Sequence, residues 1–204
     1  MRFPVKALTR GQLEAIAYPQ SAGQPEAIPW VFYDTRSYVS AATQQLTFFQ
    51  TTQAGDLSNM QAAGQLPDPQ WFQAYYFTLD VLNRPSQTAD NTGSLDDLVQ
   101  LLLAGRGRWL LTLQDKQYGP FPLSTLGSSS ELRAAISSDG AAAANAFQYG
   151  SADPDGTFCW DGSLVIPPKV GFNIQLVWPA ALTLEEGDTN LRFNMHGTLY
   201  RSVK

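Results

Sequence analysis

Apolar residues recur at every second position in the stretches that most constrain this chain. Phe172, Ile174, Leu176 and Trp178 alternate with Asn173, Gln175 and Val177. Leu191, Phe193, Met195 and Leu199 alternate with Arg192, Asn194, His196 and Tyr200. Successive side chains of a strand point to opposite faces, so this period specifies strands with one buried face. Two aromatic runs nearer the front have the same β-prone character. They are Leu46-Thr-Phe-Phe-Gln50 and Trp71-Phe-Gln-Ala-Tyr-Tyr-Phe-Thr-Leu-Asp-Val-Leu82. In the second run Tyr75, Phe77, Leu79 and Val81 are expected in the core, with Ala74, Tyr76, Thr78 and Asp80 on the other face. A polar loop over 51–70, with Gly55, Gly64, Pro67 and Pro69, joins the two runs. A loop of that length is uncommon inside a compact domain and points to a contacting role.

The remaining signals fit the same pattern. Trp30-Val-Phe-Tyr33 is a short aromatic strand, 107–114 alternates around Trp109, Leu111 and Leu113, and Leu164-Val-Ile166 is a further strand. Gln117-Tyr-Gly-Pro-Phe-Pro122 and Glu185-Glu-Gly-Asp-Thr-Asn190 have turn composition. Ser94 is a helix cap, with Asp96 and Asp97 at the positive end of the dipole and Leu95, Leu98, Val99 and Leu102 on one stripe. Gly105 offers a left-handed stop to that helix. Ser128-Ser-Ser-Glu131 followed by Leu132, Ala135 and Ile136 has the pattern of a short capped helix. Residues 1–29 form an N-terminal arm, in which Thr9-Arg-Gly-Gln12 resembles a capping box and Tyr18-Pro-Gln-Ser-Ala-Gly-Gln-Pro25 breaks any helix. The expected architecture is all-β: a single domain over 30–204, a β-sandwich of about eight antiparallel strands with one or two short helices. Long-range pairing of the two ends of the chain makes such a sandwich a jelly roll.

Composition bears on function mainly through charge. Charged residues are 15% of the 204-residue chain, and the net charge is −5. A typical soluble domain carries about 25% charged residues. Gln, Asn, Ser and Thr take up much of the difference, and a neutral polar surface is cheaper to desolvate against a partner than a charged one. The acidic balance argues against a chain-wide nucleic-acid footprint. Arg2, Lys6 and Arg10 give only the arm a local positive bias. The N-terminus lacks the apolar centre of a signal peptide, and no apolar run reaches the length of a membrane helix.

Chemistry-bearing motifs are scarce. His196 is the single histidine and Cys159 the single cysteine. Together they cannot supply a zinc site, and no intrachain disulfide is possible. Cys159, between Phe158 and Trp160, is expected as a small core residue. No G-x-S-x-G elbow, phosphate loop or dinucleotide fingerprint occurs. His196 is expected on the outward face of its strand. Ser151-Ala-Asp-Pro-Asp-Gly156 with Asp161 is an acidic loop whose composition is first that of a turn, and calcium binding by it is left open. Asp80 and Asp161 are the carboxylates available for a glycosidase-like pair, although nothing selects them. Trp30, Trp71, Trp160 and several tyrosines would serve a sugar-stacking face if exposed, but their place inside alternating apolar strands points to the core and interfaces. No catalytic, cofactor-binding or metal residue is assigned, and the chain is not expected to be an enzyme.

Several segments together resemble one family. Leu46-Thr-Phe-Phe-Gln50, the loop with Asn59-Met60 and Gly64-Gln-Leu-Pro67, and the strand from Phe72 are similar to the front half of jelly-roll capsid proteins of small tailless icosahedral bacteriophages. Leu164-Val-Ile-Pro-Pro168, Phe172-Asn-Ile-Gln-Leu176 and Leu191-Arg-Phe-Asn-Met-His-Gly-Thr-Leu-Tyr-Arg201 are similar to the back half. The likeness spans most of 30–204 and lies in texture and order. It implies a structural virion protein, a self-assembling subunit that most resembles a major capsid protein. Its partners would be itself and other capsid proteins in a symmetric shell. Loops 51–70 and 115–162 would meet neighbouring subunits. The basic arm would tie subunits together or face inward to the genome or an internal membrane. The expected location is the virion, assembled in the host cytoplasm, with no cofactor and no small-molecule substrate. The alternative reading is a non-catalytic carbohydrate- or ligand-binding β-sandwich module.

Overall fold

The period-two segments become long strands that pair across the whole length of the chain. The computed structural model describes residues 12, 25–53, 55–82, 101–102, 105–126, 132–137, 144–149, 158–184 and 187–202. Their strands are β1 (Pro25–Tyr38), β2 (Gln45–Phe48), β3 (Trp71–Val81), β4 (Arg108–Leu113), β5 (Lys116–Pro122), β6 (Leu132–Ser137), β7 (Ala144–Tyr149), β8 (Phe158–Ile166), β9 (Phe172–Val177) and β10 (Thr189–Ser202). Two four-stranded antiparallel sheets have the orders β1-β10-β3-β8 and β2-β9-β4-β5, and β6 pairs with β7 alone. The protein is an all-β sandwich.

One aromatic core joins the sheets. Phe193 of β10 lies against Phe48 of β2 and Trp109 of β4, with ring centroids 5.8 and 6.1 Å away. Phe77 of β3 touches both Trp109 and Phe193. Every one of these rings is fully buried. Burying one such side chain is worth about 1.5–3 kcal/mol, so this cluster is the main cohesive element between the layers. Two of the buried indoles have their polar edges satisfied: Trp109 Nε1 donates to Thr125 Oγ1 and Trp178 Nε1 to the Leu101 carbonyl. The expected inward set of β9 and Trp178, and that of β10, is buried throughout.

Strand β1 starts at Pro25, so residues 25–29, expected in the arm, pair with β10. Pro25 and Pro29 are accommodated because β1 is an edge strand, where a missing N–H costs no ladder bond. The segment after β2 then covers that edge. Asn59 Oδ1 accepts from Tyr33 N, and its Nδ2 donates to the Val31 carbonyl, as a neighbouring strand would. Fully buried Asp34 fixes the start of this segment by accepting from Phe49 N and Gln53 Nε2, each at 2.6 Å, with Arg36 at 3.0 Å. Met60 and Leu66 are in the core. The 51–70 loop is thus built largely into its own domain, which protects an edge from unwanted pairing.

Two expectations are corrected. Gln117–Pro122, read as a turn, is part of the edge strand β5, whose ladder with β4 skips a residue between Trp109 and Leu111. That irregularity, at Gly119 and Pro120, lets turn-type residues sit in a strand. Leu132–Ser137, read as part of a short helix, is strand β6, paired residue for residue with Ala144–Tyr149. So short a helix is marginal alone, whereas the hairpin gives these backbone groups partners. Residues 94–100 of the expected capped helix lie outside the described residues. Leu101 and Leu102 at its end are helical, and Leu101 is fully buried in the core. A 3-10 turn lies at Leu123–Thr125, and Gln12 is also helical.

Candidate functional site: the outer face of the β1-β10-β3 sheet

The irregular feature that shapes this face is a bulge in β3. His196 pairs with Tyr76 and Gly197 with Ala74, so Tyr75 is an extra residue with no opposite number on β10. The ladder to β8 shifts at the same place. An extra residue resets the alternation of the strand. Phe72 and Ala74 point inward before it, and Phe77 and Leu79 after it, all four buried. Tyr75, expected in the core, is instead on the outer face, where its hydroxyl lies 2.8 Å from Thr198 Oγ1 and donates to Gln73 Oε1. Tyr76 lies on the same face, stacked on His196 at 4.2 Å and 12°. Gly197 is required at the bulge, since a Cβ there would run into the Gln73 carbonyl.

A hydrogen-bonded row runs beside this aromatic pair. Asn194 Nδ2 donates to Asp80 Oδ2 and to Thr78 Oγ1, and Thr78 Oγ1 in turn lies 3.1 Å from His196 Nε2. On the other side of the bulge, Gln73 Oε1 accepts from Tyr75 and from Tyr200. Thr78, Asn194, Gln73 and Tyr200 are buried although they face away from the core. Burial holds the imidazole of His196 down to about pKa 4, and the Asp80 carboxylate only partly opposes that. His196 is therefore neutral near pH 7. Further along, Arg192 lies over the Tyr33 ring at 4.7 Å and donates to the Asp56 carbonyl.

These residues border an open groove of about 720 Å³. Its floor is β10 from His196 to Thr198. The two tyrosines of β3 form one wall, and Val31 of β1 with Asn59 the other; the Trp30 ring, opposite Gly197, lies on the other side of the sheet, edge-on to buried Phe32 at 6.3 Å. Among the described residues, no Lys, Arg, Asp or Glu lines it.

The geometry bears on the residues singled out from the sequence. Thr78 and His196 have the contact distance of a nucleophile and its base, but Thr78 is fully buried and already accepts from Asn194. Asp80 joins through Asn194, on the Thr78 side of the ring, rather than at Nδ1 where a triad needs its orienting carboxylate. That same bond occupies Asp80. The side chain of Asp161 and the acidic loop 151–156 lie outside the described residues, so the described residues do not assemble the expected carboxylate pair. No group of three or more potential metal ligands occurs among the described residues. Of the candidate sugar-stacking tryptophans, Trp30 is exposed, Trp71 is buried, and the side chain of Trp160 lies outside the described residues. The backbone of Cys159 pairs with Tyr76, and its side chain is likewise outside them, as are Arg2, Lys6 and Arg10. Alternation missed the pairing of Tyr75 with Tyr76 on one face. The only available signal was Gly197, a glycine inside a strand pattern, which marks a bulge or a close backbone approach.

No protein-family model matches this chain, and neither does any curated protein or solved structure. No helix among the described residues is long and apolar enough to cross a membrane.

Proposed function

We propose that this chain is a jelly-roll coat subunit that self-assembles into an icosahedral phage capsid, as its major capsid protein. The observation that carries the reading is the strand path. β1 pairs with β10, β2 with β9, β3 with β8 and β4 with β5. The chain is thus doubled back on itself as one long hairpin, and successive pairs alternate between the two sheets. Eight antiparallel strands on that path fit a jelly roll, an architecture used by viral capsids and by lectins. The β6-β7 hairpin is an insertion between β5 and β8. The charge content of 15% favours the capsid use, because a neutral polar surface suits repeated contact with copies of itself. The partners in this reading are further copies and other shell proteins. In this reading the basic arm ties subunits together or faces inward to the genome or an internal membrane, and the location is the virion after assembly in the host cytoplasm.

The test is the assembly state of the full chain. Light scattering coupled to size-exclusion chromatography, with negative-stain microscopy of the same fractions, is expected to show closed trimers, pentamers or shells. A strictly monomeric chain at high concentration, with no particles on the grid, sinks the reading.

A further inference from the structure

We propose that the groove on the outer face of the β1-β10-β3 sheet binds a neutral oligosaccharide. The first ground is charge. No ionised side chain among the described residues lines the groove, so an anionic ligand such as a phosphate ester or a nucleic acid finds no cation there to pair with. A cationic ligand finds no carboxylate.

The second ground is the mixture of surfaces. Tyr76, stacked on His196, and Tyr75 stand along one wall, facing Val31 across β10. Between them lie the Tyr75 hydroxyl, Thr198 Oγ1 and the Asn59 side chain. A hydroxyl and an amide each keep hydrogen-bonding capacity beyond the bonds they already make. His196 spends Nε2 on Thr78, and its Nδ1 makes no hydrogen bond to a described residue. A purely apolar ligand would bury these groups without partners, which costs free energy. A chain of neutral sugar rings meets both demands, with C–H faces for the aromatic rings and hydroxyls for the polar groups. The third ground is shape. The groove is open along the sheet and, at about 720 Å³, lies in the range of ligand sites that take more than a single small ring.

The bulge is what makes the site. It brings two consecutive tyrosines onto one face, which regular alternation forbids. This inference does not rest on the coat reading: a monomer that binds sugar would sink that reading and leave this one standing.

The experiment uses the full chain and neutral cello-, malto- and chito-oligosaccharides, titrated by calorimetry and by NMR shift mapping. At least one series is expected to bind, with Tyr76→Ala weakening it about tenfold, the scale of a lost aromatic contact. Tyr75→Phe removes one hydroxyl with little change in shape and should weaken binding several-fold. Tyr75→Phe is conservative, so the test survives even if Tyr76→Ala fails to fold. Absence of binding by all three neutral series overturns the proposal. So does binding that is indifferent to Tyr75→Phe, or a preference for a heparin fragment or an apolar peptide over every neutral sugar.

Discussion

Strand β10 has two unlike faces. Inward, Leu191, Phe193 and Met195 are fully buried against aromatic side chains of both sheets. Outward, Asn194, His196, Thr198 and Tyr200 are held by hydrogen bonds to Asp80, Thr78, Tyr75 and Gln73. The inward face needs only apolar volume at alternate positions, and dispersion and burial are tolerant of detail. The outward face needs particular atoms at particular distances, and a half-satisfied polar network is worse than none. It follows that the inner face sets stability while the outer face sets a specific surface. Among the described residues, the one ionic exception on the inner side is Asp34, which serves the loop rather than the sheet.

Substitutions on each face test that contrast. Phe193→Ala removes a ring that touches Phe48, Phe49, Phe77 and Trp109, and urea unfolding should show a loss of about 4 kcal/mol. Asp34→Ala leaves the Phe49 amide and Gln53 without their acceptor, for a loss of about 3 kcal/mol. Hydrogen exchange should localise that effect to 49–60; uniform loss of protection would mean that Asp34 supports the core and not the loop. On the outer face, Thr78→Val keeps the shape but deletes the hydroxyl between Asn194 and His196, for about 2 kcal/mol in the same assay. A loss as large as that of Phe193→Ala would abolish the distinction between the faces.

The smallest expected effect is that of pH. His196 is held down to about 4 in the folded chain, against an ordinary value of 6.5. Between those values the unfolded chain binds a proton that the folded chain does not. Its contribution to stability is therefore complete above 6.5, declines as pH falls, and is exhausted below about 4. With partial exposure considered, the loss by pH 5 is about 1–2 kcal/mol. Comparing urea midpoints of the parent and His196→Gln at pH 7 and pH 5 isolates this contribution; equal pH dependence in both would show that other groups govern acid sensitivity.

Much of this arrangement is legible in the order of the residues. The alternation of Phe172 to Trp178 and of Leu191 to Leu199 specifies β9, β10 and their buried faces, since a period of two has one geometric meaning. The run from Trp71 to Val81 likewise yields β3. Gln117 to Pro122 and Leu132 to Ser137 misled, because their turn and helix signals are local whereas their pairing partners lie elsewhere in the chain. His196 is placed on the outer face by alternation alone, but its stacking on Tyr76 is not.

The class of the protein is thus written in its residues: alternating apolar positions, few charges and scarce catalytic residue types specify a β-sandwich with an aromatic core. Three features arise only when the chain is folded. They are which strands are neighbours, the closing of the β1 edge by the 51–70 loop through Asn59, and the shared face of Tyr75 and Tyr76. The physical reason is range. Periodicity records the side of a strand on which a residue falls, whereas register and bulges depend on which distant strand supplies the hydrogen bonds.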